Sequence, residues 1–207
     1  MTGSVLYYFH DPMCSWCWGY RPTWLMLQEQ LPDDLSVQYV LGGLAADTND
    51  PMPRHMQKAI QGYWKRIEKE LGAQFNFEFW EKCNPRRSTY NACRAVIAAT
   101  NQQAEKEMIY AIQQAYYLRA MNPSDNDTLQ LLAKELSLDV KRFSDDLGAP
   151  QTESALQAQI GLARSAPISG FPSLVLEVDK RLAPVVLDYK DYRVSLSHIL
   201  DLLNKSA

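Results

Sequence analysis

The sequence predicts an α/β fold in which a β-α-β unit near the start and a β-β-α unit near the end build one sheet, interrupted by a large all-helical insertion. Three observations carry this. Val5-Leu6-Tyr7-Tyr8-Phe9 is rich in β-branched and aromatic residues without period-two alternation, the pattern of a strand buried on both faces. From Pro53 to about Arg164 apolar residues recur at helical spacing, as in Met56, Ile60, Trp64 and Ile67. Ser173–Val178 and Leu182–Leu187 then flank Asp179-Lys180-Arg181 as a hairpin.

The elements follow in order. His10-Asp11-Pro12-Met13 ends the first strand, because Pro12 cannot donate to a sheet ladder. A helix is expected from about Cys14 to Gln30, kinked near Trp18 because Pro22 removes one backbone bond. Leu35–Leu41 is a second strand bounded by Gly42-Gly43, and a crossover of this length makes it parallel to the first. Gly72, Asn84-Pro85, Asn122-Pro123 and Gly148-Ala149-Pro150 punctuate the helical block, with Ser88 and Ser124 as the expected N-caps. Pro184 marks the second hairpin strand as an edge. Ser195–Leu203 closes the chain as a helix with Leu196, Ile199, Leu200 and Leu203 on its apolar face.

Composition removes several classes of function. With 207 residues, 46% apolar and 22% charged, the chain can bury a real core without staples. A net charge of −3 supplies no basic field for nucleic acid or anionic membrane. No run approaches the roughly 18 apolar residues of a spanning helix. Residues 1–13 hold no Lys or Arg, and the apolar run Val5–Phe9 is short for a signal peptide. A cytoplasmic location is therefore expected, where thiols are kept reduced and close cysteines point to redox or metal chemistry.

Cys14 and Cys17 are separated by Ser15 and Trp16. On the first turn of a helix, positions i and i+3 lie on one side and can close a disulfide with little backbone movement. Cys14, at the helix start, would have an exposed sulfur favoured as a thiolate by the unpaired N–H groups and the dipole. It is the expected nucleophile. Cys17, one turn in and buried, is the expected resolving thiol. Zinc binding would need two further ligands, whereas Cys83 and Cys93 are ten apart around Pro85 and the histidines are scattered at 10, 55 and 198. Two buried cysteines without chemistry is the plainest alternative. A second element, Ser169-Gly170-Phe171-Pro172-Ser173, lies just before a strand. Pro172 there is a candidate cis proline, with a trans proline ending a loop as the alternative. It has no N–H to compete for a thiolate, and the Phe171 backbone would be free to pair with an extended substrate.

Together, "HDPMCSWCWG", β-α-β, a long helical insertion and "GFPSLVL" resemble the DsbA-like thioredoxin-fold oxidoreductases, and among them the cytoplasmic FrnE-type group of predicted protein-disulfide isomerases. The resemblance covers essentially the whole chain. It implies a thioredoxin-like domain from 1–50 and 167–207, an inserted helical domain from 51–166, a nucleophile at Cys14, a resolving thiol at Cys17 and a cis proline at Pro172. Ser-Trp stands where the periplasmic oxidases carry Pro-His, which argues against strong oxidase activity.

The expected activity is thiol-disulfide exchange of the reductase or isomerase type through a mixed disulfide on Cys14. Protein or peptide thiols and disulfides are the expected partners, with glutathione a candidate electron donor or ligand. Neither an organic cofactor nor a metal is expected, since the dithiol itself holds the electrons. Met13, Trp16 and Phe171 are candidate substrate contacts, and His10 and Ser15 candidate modulators. Trp18 could extend an apolar platform with Trp16, while Trp24 is expected in the core. Cys93 is expected as a small buried helix residue, Cys83 as an unpaired thiol, and Arg86 and Arg87 as solvated loop residues or a carboxylate contact. The alternatives are a glutathione-dependent transferase or isomerase of the kappa type and a non-catalytic metal-binding module.

Overall fold

A computed structural model describes residues 4–205. Its sheet has the order β2-β1-β3-β4, formed by β1 (Val5–His10), β2 (Ser36–Leu41), β3 (Ser173–Val178) and β4 (Arg181–Val185). β1 runs parallel to β2 and antiparallel to β3, which pairs antiparallel with β4. The two ends of the sequence thus meet on neighbouring interior strands. Pro184 lies on the edge strand. The hairpin loop is tighter than the three-residue turn expected: Asp179 (φ 49°) and Lys180 (φ 64°) make the reversal alone, and Arg181 already opens β4. Positive φ at both central residues matches the twist of the flanking strands.

Alternation along β1 sends Leu6 and Tyr8 to one face and Phe9 to the other. The first face packs on α1 (Ser15–Gln28) and α9 (Tyr192–Asn204) through Tyr20, Trp24, Leu27 and Ile199. The second packs on α8 (Pro150–Ser165) through Val40, Ala163 and Val175. Gln159 of α8 also accepts the Leu41 amide at 2.7 Å. α9 begins earlier than expected, at an Asp191 cap that accepts from the Arg193 amide. Its buried positions are Ser195 and Ile199, while Leu200 is exposed. The helix is rotated because the Ser195 hydroxyl donates to the Val186 carbonyl at 2.8 Å and must face inward.

Between β2 and β3 lie α2 (Arg54–Leu71), α3 (Phe79–Lys82), α4 (Tyr90–Thr100), α5 (Glu105–Tyr117), α6 (Asn126–Glu135), α7 (Val140–Leu147) and α8. The N-caps of α4 and α6 are Thr89 and Asp125 rather than Ser88 and Ser124. Both serines are buried one residue earlier, the Ser124 hydroxyl donating to the Ser88 carbonyl at 2.7 Å. Trp64 of α2 is fully buried and meets the rings of Phe75, Phe77, Phe79, Trp80, Tyr116 and Tyr117 at 5.0–6.0 Å between centroids. Among the described residues no helix is long and apolar enough to cross a membrane.

Removing that indole leaves a cavity at the junction of α2, α3 and α5. Trp64→Ala should lower unfolding stability by about 3–5 kcal/mol in denaturant titration; a loss well under 1 kcal/mol would contradict the packing described.

Candidate active site

Cys14 is the N-cap of α1, with φ −79° and ψ 116°, and the helix starts at Ser15, as the sequence leads one to expect. Its carbonyl accepts the Trp18 amide at 3.1 Å. The residue therefore stands at the positive end of a 14-residue helix, where an anion is favoured. The distant loop folds over it. The Cys14 sulfur lies 3.5 Å from the Phe171 carbonyl oxygen, to which it donates, and the Phe171–Pro172 peptide is cis. That carbonyl is thus engaged rather than free as expected. Cys14 is also less open than the sequence suggested, at 6% exposure, with the Phe171 carbonyl against its sulfur. It lines a cleft of about 350 Å³ with Met13, Ser15, Trp16, Leu44 and Phe171.

Cys17 is one turn deeper and fully buried. Burial pushes its thiol well above the usual range, and the hydrogen bond and charge of Cys14 push the same way. Neither cysteine is in a disulfide. The two sulfurs thus occupy unlike surroundings, one at a cleft and one in the core.

In sequence Asp11 is part of a strand-ending loop, yet it holds the site together. Its carboxylate is fully buried and accepts from the Met13 amide (2.8 Å), the Leu44 amide (2.7 Å), the Thr89 hydroxyl (2.7 Å) and the Cys93 thiol (3.6 Å). Burial raises its pKa, and the hydrogen bonds oppose that rise. The signal available in sequence was an Asp two residues before an amide that a short side chain can reach. Its longer-range partners left none. Gly42 contributes by its smallness: a Cβ there would lie 1.9 Å from the Phe171 ring.

His10 ends β1 buried, stacked on Tyr8 at 5.1 Å and edge-on to Tyr39 at 5.6 Å between centroids. Desolvation lowers its pKa to about 3, so the ring is neutral near pH 7. Trp16 is half-buried, held edge-on by Tyr189 at 5.3 Å with the Arg66 guanidinium 5.4 Å over its ring. Trp18 turns away from the cleft. It stacks on Tyr117 and Tyr110 and donates to the Gln74 carbonyl at 3.1 Å, tying α1 to the helical block instead of extending a platform. Trp24 is core. Cys93 is buried, and half-buried Cys83 donates to the Ala120 carbonyl at 3.1 Å. Arg86 is not a free loop cation, being paired with Asp125. A larger polar depression of about 690 Å³ near Asp47, Arg94 and Asp127 holds neither thiol.

A family model described as Thioredoxin matches residues 7–194. A Nitrosomonas europaea structure provisionally named a protein disulfide isomerase superposes with a TM-score of 0.86 at 27% identity, covering 99% of each chain. The cytosolic disulfide reductase DsbM of Pseudomonas aeruginosa superposes at 0.77 with 24% identity, covering 96% of this chain and 99% of that one. Solved with GSH it gives 0.71 at 22% identity, covering 97% and 98%. At these identities the Pseudomonas structures establish a shared fold. The ClpXP adapter protein SpxH of Bacillus subtilis is 25% identical over 172 residues, and the alignment spans 82% of this chain but 56% of that relative.

Two measurements check this account. Asp11→Ala strands two amides and a hydroxyl in a dry site and should cost about 3 kcal/mol in unfolding free energy; a near-neutral result would mean that these bonds hold nothing. For His10, the unfolded chain takes up a proton near the ordinary value of 6.5 and the folded chain only near 3, so acid favours unfolding. Between those values the ring should remove stability by up to about 1.4 kcal/mol per pH unit as pH falls. His10→Phe should flatten that part of the stability profile, and an unchanged profile would refute the assignment.

Proposed function

The chain belongs to the thioredoxin family, and from that premise we propose that it is a thiol-disulfide oxidoreductase of the reductase or isomerase type. One observation carries the reading. The Cys14 sulfur, at the cap of α1, lies at a cleft against the Phe171 carbonyl, with a buried, protonated Cys17 one turn behind it.

In the proposed reaction the Cys14 thiolate attacks one sulfur of a substrate disulfide. A Cys14–substrate disulfide forms, the substrate S–S bond breaks, and its electron pair leaves on the released thiolate, which takes a proton from solvent. Cys17 then loses its proton and attacks the Cys14 sulfur. The Cys14–Cys17 disulfide forms, the second substrate thiol leaves, and two electrons have passed from protein to substrate. A thiol reductant of a reducing cytoplasm restores the dithiol, and isomerisation is the case in which the released thiolate attacks elsewhere in the same substrate. Met13, Trp16 and Phe171 give the cleft its apolar contacts, and Pro172 presents no N–H to compete for the Cys14 sulfur. Protein and peptide disulfides, and glutathione as a small partner, fit this chemistry. The Nitrosomonas and Pseudomonas names support it.

A second reading, an adapter protein that binds its partner without thiol chemistry, is favoured by the name of the Bacillus relative. It requires that a C14S/C17S variant still bind its partner protein.

Cys17→Ala should accumulate mixed disulfides on Cys14 that reductant releases, seen by intact mass. Cys14→Ser should lose insulin-disulfide reduction by a factor of at least about a hundred. Full activity in Cys14→Ser would end the oxidoreductase proposal.

A further inference from the structure

The Cys14 cleft is walled mainly by apolar and aromatic side chains and carries one guanidinium, that of Arg87. Resting on the thiol chemistry proposed above, the geometry points to Arg87 as the residue that selects small disulfides bearing a carboxylate.

Three other arginines of the helical block are neutralised within the chain. Arg86 pairs with Asp125, Arg66 with Glu70 at 2.8 Å, and Arg94 with Asp47 at 2.8 Å and Glu153 at 3.0 Å. Arg87 is different: half-buried, it makes neither a hydrogen bond nor an ion pair among the described residues. A guanidinium presents five donors in a planar fork, and beside apolar walls these lose part of their hydration without gaining partners. A carboxylate is the group whose geometry satisfies that fork bidentately. It would sit within the same cleft as the Cys14 sulfur, so a molecule whose disulfide reaches the sulfur places its acid group on Arg87.

Size narrows the class further. The cleft holds about 350 Å³ and is roofed by Ile60, Tyr63 and Trp64 of α2 and Tyr116 of α5. That is the low end of the range for small-molecule sites. It suits a short peptide or amino-acid disulfide better than the surface of a folded protein. In the first exchange step the half of the substrate that stays bonded to Cys14 keeps its carboxylate on Arg87 while the other half leaves as a thiol. Resolution by Cys17 then frees the retained half, also as a thiol.

Single-turnover oxidation of the reduced protein, followed by intact mass after acid quench, tests this with two probes. Glutathione disulfide carries carboxylates on both halves, and the disulfide of mercaptoethanol is neutral. Wild type should prefer the charged probe. The ratio of the two second-order rate constants should fall about tenfold or more in Arg87→Gln and recover in part in Arg87→Lys. Added salt should narrow the wild-type ratio. A ratio that Arg87→Gln leaves unmoved, or a wild-type preference for the neutral probe, overturns the assignment of Arg87. Cys14→Ser separates the two claims: reaction with either probe in that variant would defeat the thiol reading itself.

Discussion

The buried carboxylate of Asp11 is the constraint on which the rest of the structure depends. It gathers the loop that leads into Cys14, the backbone that follows β2 and the start of α4, segments 33 and 78 residues away along the chain. A carboxylate taken out of water is costly, and what offsets the cost here is a set of directed donors. The donors come from three pieces of the chain, Met13 from its own loop, Leu44 after β2, and Thr89 with Cys93 from α4 and its cap, so satisfying the carboxylate also fixes where those pieces sit. The turn that delivers the Cys14 amide to the Asp11 carbonyl at 3.0 Å is thereby set before α1 begins. The position of the cysteine pair follows from the burial of one acid.

The helical block is a working part of the site. Trp18 joins α1 to it through stacking on α5 and a hydrogen bond to Gln74. Its own aromatic core, centred on Trp64, supplies the roof of the cleft. A sheet with α1 and α9 on one face would present the cap of α1 to open solvent. With the block in place, the same cap faces a chamber of limited volume and mixed character. On the proposed reading, packing in the insertion limits which molecules can approach the Cys14 sulfur.

Two thiols three residues apart would be equivalent in an unfolded chain, and burial makes them unlike. Cys14 ends at a cleft against a backbone carbonyl, and Cys17 lies in the core where charge is disfavoured. An ordered two-step exchange needs this asymmetry, because the first attack must come from the sulfur at the cleft and the second from the one in the core.

Strand and helix types were readable because each depends on neighbours in sequence. The unalternating run Val5–Phe9 announced an interior strand, the Gly72 stop ended α2, and Pro184 required an edge. The spacing of Cys14 and Cys17 and the Gly-Phe-Pro segment likewise named the residues worth watching. What remained hidden were relations between segments. Ser88 and Ser124 are drawn inward, the Ser124 hydroxyl donating to the Ser88 carbonyl, α9 is turned by a serine bonded to Val186, and Trp18 faces the insertion. Arg86 is paired with Asp125, whereas Arg87 beside it lines the Cys14 cleft with no ion pair among the described residues, and the distant partners of Asp11 are Leu44, Thr89 and Cys93. Local pattern determines which element a residue joins, since propensity and periodicity act over a few residues. Burial, charge pairing and the approach of a distant loop depend on the whole chain closing, and those decided the site.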